Sequence, residues 1–246
     1  MSKSVAAIIC AAGASRRFGG KRKKPLVDVA GRAVFLRSVE LFSDRDDVKQ
    51  ILLAISPEDE ELVSVKWGAN LKFFNVKICF GGDERFDTVS KALELIKDDI
   101  ELVAVHDAVR CCVTKKWIDE VIAKAGETGA AILACPVVAT IKEAKNNTII
   151  KTVERAGLYE AQTPQVFKAE LLKRAYKTVK GLDKGKISDD SQLVEALGEK
   201  VSIVETDSSN IKITLPNDIA IAEAILKSRP KPRPKGPTGP YVEAQW

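Results

Sequence analysis

The chain has 246 residues, 45% of them hydrophobic, which is enough to bury one large core or two small ones. Its formal net charge is +5, but Arg229, Lys231, Arg233 and Lys235 oppose only Glu243 in the last stretch, so residues 1–228 are nearly balanced and lack the spread basic surface of a nucleic-acid-binding domain. No apolar run approaches the length of a membrane span, and Met1-Ser2-Lys3 leads straight into an apolar run with no signal-peptide pattern, so a cytoplasmic protein without membrane partners is expected.

Val5 to Cys10 has the length and branched content of a strand buried on both faces. Ala11, Ala12 and Gly13 then let the backbone approach a ligand closely, and six cations follow between Arg16 and Lys24. The Walker pattern is excluded because Gly20-Lys21 is followed by Arg22, and the GxGxxG spacing is absent. The loop suits a polyphosphate met by side-chain charge; a solvated basic loop is the alternative. Strands are predicted at Ile51–Ile55, Val76–Phe80, Leu102–Val105 and Ala131–Val138, and helices near 32–43, 84–97 and 115–126, with Phe35, Val39 and Phe42 at helical spacing. Such alternation predicts an α/β fold with a mostly parallel twisted sheet, helices on both faces, and ligands beyond the carboxyl ends of the strands.

Residues 139–155 break the rhythm. An Asn146-Asn147 turn between roughly alternating flanks predicts a β-hairpin, which with few apolar residues either projects toward another subunit or lies on the surface. Asn210–Thr214 alternates as a strand with Asn210, Lys212 and Thr214 on one face; Lys212 then either reaches an anion site or guards a sheet edge. Residues 1–228 read as a single domain, and the Pro- and Lys-rich tail 229–246 as disordered.

Two more segments carry candidate chemistry. His106-Asp107-Ala108-Val109-Arg110 follows a strand, where Asp107 suits a magnesium ion and Arg110 an anion, or the two form a structural ion pair. Gly81-Gly82-Asp83 gives a tight turn before a helix, whose backbone groups suit a base edge or simply cap the helix. Cys10, Cys79, Cys111, Cys112 and Cys135 contain no CxxC pair, so they read as core filler, and His106 is the lone histidine.

Together these motifs resemble the 2-C-methyl-D-erythritol 4-phosphate cytidylyltransferase family, within the wider nucleotidyltransferase group of Rossmann-like folds, from about Val5 to Ser228. The resemblance rests on AAGASRRFGG and KKPL near the start, GGDERFDTV at 81–89, HDAVR at 106–110, TVERAGLYEAQTPQ at 152–165, ISDDSQLVEALG at 187–198 and NIKITLPNDIAIAE at 210–223. It implies attack by a phosphate-monoester oxygen of methylerythritol phosphate on the α-phosphorus of CTP, releasing pyrophosphate, with Mg2+ or another divalent cation. By the same resemblance, Arg17 and Lys24 are the transition-state stabilisers. Arg155 and Lys212 bind the sugar phosphate, Thr140 adds a contact from the hairpin, and Arg110, Thr163 and Ser188 lie near it. Ala12, Gly13, Gly82, Asp83, Thr88, Asp107 and Ala108 surround the nucleotide, Asp107 on the metal side. The hairpin arm, about 139–156, reaches across a homodimer in such enzymes, so that Thr140 and Arg155 serve the partner's site.

Departures from the family pattern are local. GGKRKKPL offers Lys23 as a competitor to Lys24, although counting back from Val34 favours Lys24; Cys111-Cys112 and Ala139 also depart. The nearest rival is a ribitol-5-phosphate cytidylyltransferase, against which Thr152–Tyr159 resembles the methylerythritol family; a sugar-phosphate nucleotidyltransferase is more remote. From another class, a nucleic-acid binder would use the cationic loop and tail, but no aromatic stacking motif accompanies them.

Overall fold

The first apolar run forms β1 (Val5–Cys10) in the computed structural model, which describes residues 3–13, 18, 23–178 and 187–230. Arg17, most of the cationic loop and the tail from 231 onward lie outside the described residues. A small hairpin, β2 (Asp28–Val29) and β3 (Arg32–Ala33), leads into α1 (Val34–Ser43), then β4 (Val48–Ile55), α2 (Glu60–Phe73), β5 (Val76–Phe80), α3 (Arg85–Leu93) and β6 (Leu102–Asp107). The second half comprises α4 (Lys115–Thr128), β7 (Ala130–Pro136), the hairpin β8 (Ile141–Lys145) and β9 (Thr148–Val153), β10 (Tyr159–Lys168), α5 (Ala169–Thr178), α6 (Ser191–Glu195), β11 (Ser202–Glu205) and α7 (Asp218–Ser228).

Among the described residues the main sheet has seven strands in the order β11-β7-β10-β6-β1-β4-β5. All neighbours pair in parallel except β10, which runs against both β7 and β6. Period-2 alternation sorts the strands between two cores. Val5, Ala7 and Ile9 of β1 join Ile51, Leu53 and Ile55 of β4 and Leu102 and Ala104 of β6 against α1, α2 and α4. Ala6, Ile8, Leu52, Ala54, Val103 and Val105 face α3, α5 and α6. Strands buried on both faces need continuous apolar sequence, which is why these runs were legible. Helix ends follow local chemistry too: Thr114 Oγ1 accepts from the Trp117 amide at 3.2 Å to start α4, and Gly129, at φ +93°, closes it by donating to the Ala125 carbonyl at 2.8 Å.

The expected bounds of two strands shift, Ile51–Ile55 to Val48–Ile55 and Ala131–Val138 to Ala130–Pro136, and three further expectations need correction. β6 continues through His106 and Asp107, because both pair in register with β1, Asp107 opposite Cys10. The helix near 84–97 stops at Leu93. Asn210–Thr214 is not a strand: its backbone is pinned piecemeal, Ile213 N donating to Val109 O at 3.0 Å and Thr214 N to Asp218 Oδ2 at 2.7 Å. Asn210 and Ile213 are both fully buried there, Ile213 in a third apolar cluster with Phe18, Val27, Val34 and Ala222 of α7.

The 146–147 turn has both asparagines at positive φ, +50° and +60°, which is the primed-turn geometry that suits a tight hairpin. Among the described residues its strands pair only with each other, and Ile149 and Ile150 are exposed. No helix among the described residues is long and apolar enough to cross a membrane. Leu53, fully buried beside β1, tests the core: Leu53→Ala should cost about 2–5 kcal/mol by urea unfolding, seen as a lower midpoint at unchanged slope.

Candidate active site

The order β6-β1-β4 puts a topological switch point at the carboxyl end of β1, since the chain leaves β1 toward β4 and returns on its other side at β6. A cavity of about 200 Å3 opens there, lined by Cys10 at the end of β1 with Ala12 and Gly13 beyond it, Lys24 and Pro25 of a 3-10 turn, residues 82–85 and Thr88 around the start of α3, Asp107 at the end of β6 with Val109 beyond it, and Lys212. Sequence-predicted Lys24, Lys212, Ala12, Gly13, Gly82, Asp83, Thr88 and Asp107 therefore meet in one place.

Close approach explains the glycine pair. A Cβ on Gly81 would sit 2.3 Å from Ala12 Cβ and 2.8 Å from Thr88 Oγ1, and one on Gly82 would meet Asp87 Cβ at 2.4 Å. The turn is then fastened by hydrogen bonds: Gly82 N donates to Thr88 Oγ1 at 3.1 Å, and Lys91 Nζ to the Gly81 carbonyl at 3.0 Å.

Asp107 is the electrostatic centre. Arg85 Nε donates to its Oδ1 at 3.2 Å, and Lys212 Nζ lies 2.6 Å from Oδ2. Burial alone would push the carboxyl up, but the charges of Arg85, Lys212 and Arg110 outweigh it and hold it well below the usual carboxylate range. Cys10, across the β1–β6 pair, goes the other way: burial pushes its thiol up to about 12, so it stays neutral. Among the described residues no three His, Cys, Asp or Glu side chains cluster as a metal site. An ion there would have Asp107 as its protein carboxylate and ligand oxygens for the rest, a donor set that suits nucleotide-bound magnesium.

Geometry separates Lys23 from Lys24. Lys23 turns away to Glu58 and Asp59, the latter at 2.9 Å, while Lys24 lines the cavity.

Other predicted residues do not line it. Ala108 is buried, its amide donating to Cys10 O at 3.1 Å. Arg110 braces the floor, donating to Asn210 O at 2.7 Å and Ala161 O at 3.4 Å. Thr163 is buried behind Asp107, whose amide donates to its hydroxyl at 3.0 Å. Ser188 lies in a separate groove with Tyr159 and Ile203, bonded to Gln192. Thr140 and Arg155 are exposed at the base of the arm, Arg155 donating to the Val138 carbonyl. Sequence reading missed Arg85 and Asp190, which form an ion pair at 2.7 Å. Both lay inside motifs it used, but charged residues beside a turn read as solvated.

The model of 2-C-methyl-D-erythritol 4-phosphate cytidylyltransferase matches residues 5–228. The chain belongs to this family. The enzyme of that name from Endomicrobium trichonymphae is 44% identical over 225 residues, covering 91% of this chain and 99% of its own, and that from Rhodopirellula baltica is 40% identical, covering 91% and 95%. Among solved structures, the 4-diphosphocytidyl-2C-methyl-D-erythritol synthase of Anaerococcus prevotii aligns with a TM-score of 0.79 at 30% identity, covering 92% of this chain and 97% of that one. The Thermus thermophilus cytidylyltransferase aligns at 0.75, also at 30% identity, covering 92% and 100%. The fold is thus the α/β nucleotidyltransferase fold that the cytidylyltransferase motifs implied.

His106 sits behind this cytidylyltransferase pocket. It is fully buried, 5.5 Å from Phe42 between ring centroids, and shares a 3.1 Å hydrogen bond with the Thr163 hydroxyl. Burial lowers its pKa to about 4. Below pH about 6.5 the unfolded chain binds a proton that the folded one refuses until pH 4, so stability falls across that window, by at most roughly 3 kcal/mol. Asp107, depressed in the fold, contributes its own loss only below its unfolded value near 4. Urea unfolding in EDTA should show both phases, and His106→Gln should flatten the upper one.

Proposed function

We propose that the chain transfers the cytidylyl group of CTP to 2-C-methyl-D-erythritol 4-phosphate. An oxygen of the sugar phosphate forms a bond to the α-phosphorus, the bond from that phosphorus to the bridging oxygen of the β-phosphate breaks, and pyrophosphate leaves with the electron pair. The observation that carries this reading is the meeting of Lys24, Asp107 and Lys212 with the backbone turns at 12–13 and 82–83 in one cavity of a chain that the family model matches over 5–228.

Each residue has a part that its chemistry suits. The backbone at Gly82-Asp83, kept open by Gly81 and Gly82, reads the edge of the cytosine, with Ala12 and Thr88 beside it. Lys24 meets the charge that grows on the non-bridging and leaving oxygens; prepositioned cations act there without reorganising at the moment of reaction. Arg17, outside the described residues, takes the same part by its position in the motif. Lys212 holds the sugar phosphate beside Asp107. Asp107, together with the nucleotide's own oxygens, would hold a magnesium ion, which would supply charge neutralisation on the phosphates.

A homodimer is part of this proposal. Among the described residues the arm pairs only with itself and exposes Ile149 and Ile150 at 61% and 57%, and an isolated hairpin is marginal in water, so a second copy is a fitting partner. Thr140 and Arg155, at its base, then contribute to the partner's substrate site.

Pyrophosphate release should be fastest with CTP and methylerythritol phosphate in magnesium; equal turnover with UTP, or with ribitol 5-phosphate, would overturn the specificity. Lys24→Ala should lower kcat roughly 100-fold with a smaller change in KM, and Lys23→Ala less than tenfold. A near-wild-type Lys24→Ala beside an inactive Lys23→Ala would reverse their roles.

The shared site has its own test. An Arg155→Ala chain mixed with a Lys24→Ala chain forms hybrids in which one site carries both native residues and the other neither. Random exchange should restore about a quarter of sites, and no recovery despite demonstrated exchange would rule out sharing.

A further inference from the structure

Asp190 does not line the pocket, yet it is completely buried and both its oxygens are engaged. Oδ2 accepts from Arg85 Nη2 at 2.7 Å and Oδ1 from the Tyr176 hydroxyl at 2.5 Å. The Tyr176 ring is itself stacked on Phe86, 4.8 Å between centroids, and the Asp190 amide donates to Gln165 Oε1 at 3.0 Å. With each oxygen engaged and the backbone pinned to Gln165, this carboxylate has a fixed direction. A buried charge so costly to desolvate is kept only where it is well paired, and its charged partner, Arg85, is a pocket residue.

Arg85 spans the two acids. With Nη2 anchored on Asp190, the rigid plane of the guanidinium fixes where Nε points, and Nε takes Asp107 Oδ1. Oδ2 is thereby left toward Lys212. Resting on the reading of Asp107 as the carboxylate on the metal and nucleotide side, we propose that Asp190 is a positioning residue that sets the direction of the Asp107 carboxylate through Arg85. Without its charge, Arg85 has Asp107 as its remaining anion and turns to pair with both of its oxygens, the fork arginine prefers, in competition with an incoming cation. Partners that orient a metal-binding carboxylate typically change metal affinity by about 10-fold to 100-fold when removed.

The test combines crystal structures with calorimetric CTP binding, in magnesium and in EDTA, for Asp190→Asn, Arg85→Lys and the double variant. In Asp190→Asn the Asp107 carboxylate should be rotated onto Arg85, with CTP affinity about tenfold weaker in magnesium and less than about twofold changed in EDTA. Arg85→Lys, which lacks the planar fork that fixes Nε against Asp107 once Nη2 is anchored, should lose a similar factor, and the double variant should lose no more than about twofold beyond the larger single, as residues acting in series do. An undisturbed Asp107 in Asp190→Asn, an equal loss with and without magnesium, or additive losses in the double variant would each overturn the assignment. If Asp190→Asn does not fold, Arg85→Lys carries the same decision: an unmoved Asp107 with unchanged magnesium-dependent affinity overturns it. A rotated Asp107 in a protein whose wild type binds no CTP would leave the assignment standing and count against the nucleotide reading instead.

Discussion

The structure depends on one constraint: an ionised carboxylate, Asp107, is buried at the carboxyl end of a central strand. Such a charge is tolerable only if opposite charges and hydrogen bonds are brought to it. Each partner comes from a different part of the chain: Arg85 from the start of α3, Lys212 from the segment before α7, and the Thr163 hydroxyl from β10 under the Asp107 amide. Asp190 closes the set by pairing the far end of Arg85. The charges of Asp107, Arg85, Lys212 and Asp190 cancel among themselves, and Arg110 beside them leaves the floor of the pocket positive in sum. Segments near residues 85, 190 and 212 are thereby tied to one another through Asp107 and Arg85.

Around that centre the pocket is shaped by what is missing. Ala12, Gly81 and Gly82 approach so closely that a methyl group at either glycine would collide with Ala12, Thr88 or Asp87. Cys10, beside Asp107, stays a neutral thiol because burial pushes it up to about 12, and so adds no negative charge where phosphates are proposed to bind. The cationic loop is divided in the same spirit. Lys23 is bound to Glu58 and Asp59, and this fixes the chain so that its neighbour faces the cavity.

How much was legible in the sequence follows from how each residue is held. β1 was read to its terminal residues because a strand buried on both faces is a continuous apolar run that stops where turn residues begin, whereas β5, an edge strand with Lys77 and Phe80 exposed, was bounded by the Gly81-Gly82 turn that follows it. The Asn146-Asn147 hairpin was legible because its turn chemistry is local. β10 gave no such signal: YEAQTPQVFK is polar through its first half, since Gln162, Thr163 and Gln165 are buried as hydrogen-bonding struts rather than as core. Asn210–Thr214 imitates a strand for the opposite reason. Asn210 is drawn inward by Gln162 Oε1 and the Thr163 carbonyl and Ile213 by the third cluster, so its alternation reflects separate anchors rather than a sheet. Arg85 and Asp190 were invisible because a charged residue announces burial only through its partner, and partners 105 positions apart leave no periodicity.

The antiparallel strand also explains where the arm stands. The parallel strands deliver their carboxyl ends to the pocket, but β10 runs the other way and so begins there, with Tyr159 opposite Pro136 at the end of β7. The chain between Pro136 and Tyr159 must consequently leave and return at the pocket end of the sheet, and that is the stretch which forms β8 and β9. Had β10 been parallel, its connection would have crossed a face of the sheet and emerged at the opposite end. The reversal that brings Thr163 under Asp107 thus roots Thr140 and Arg155 at the functional end of the sheet. A projecting arm at that end is a consequence of the strand order, before any partner is considered.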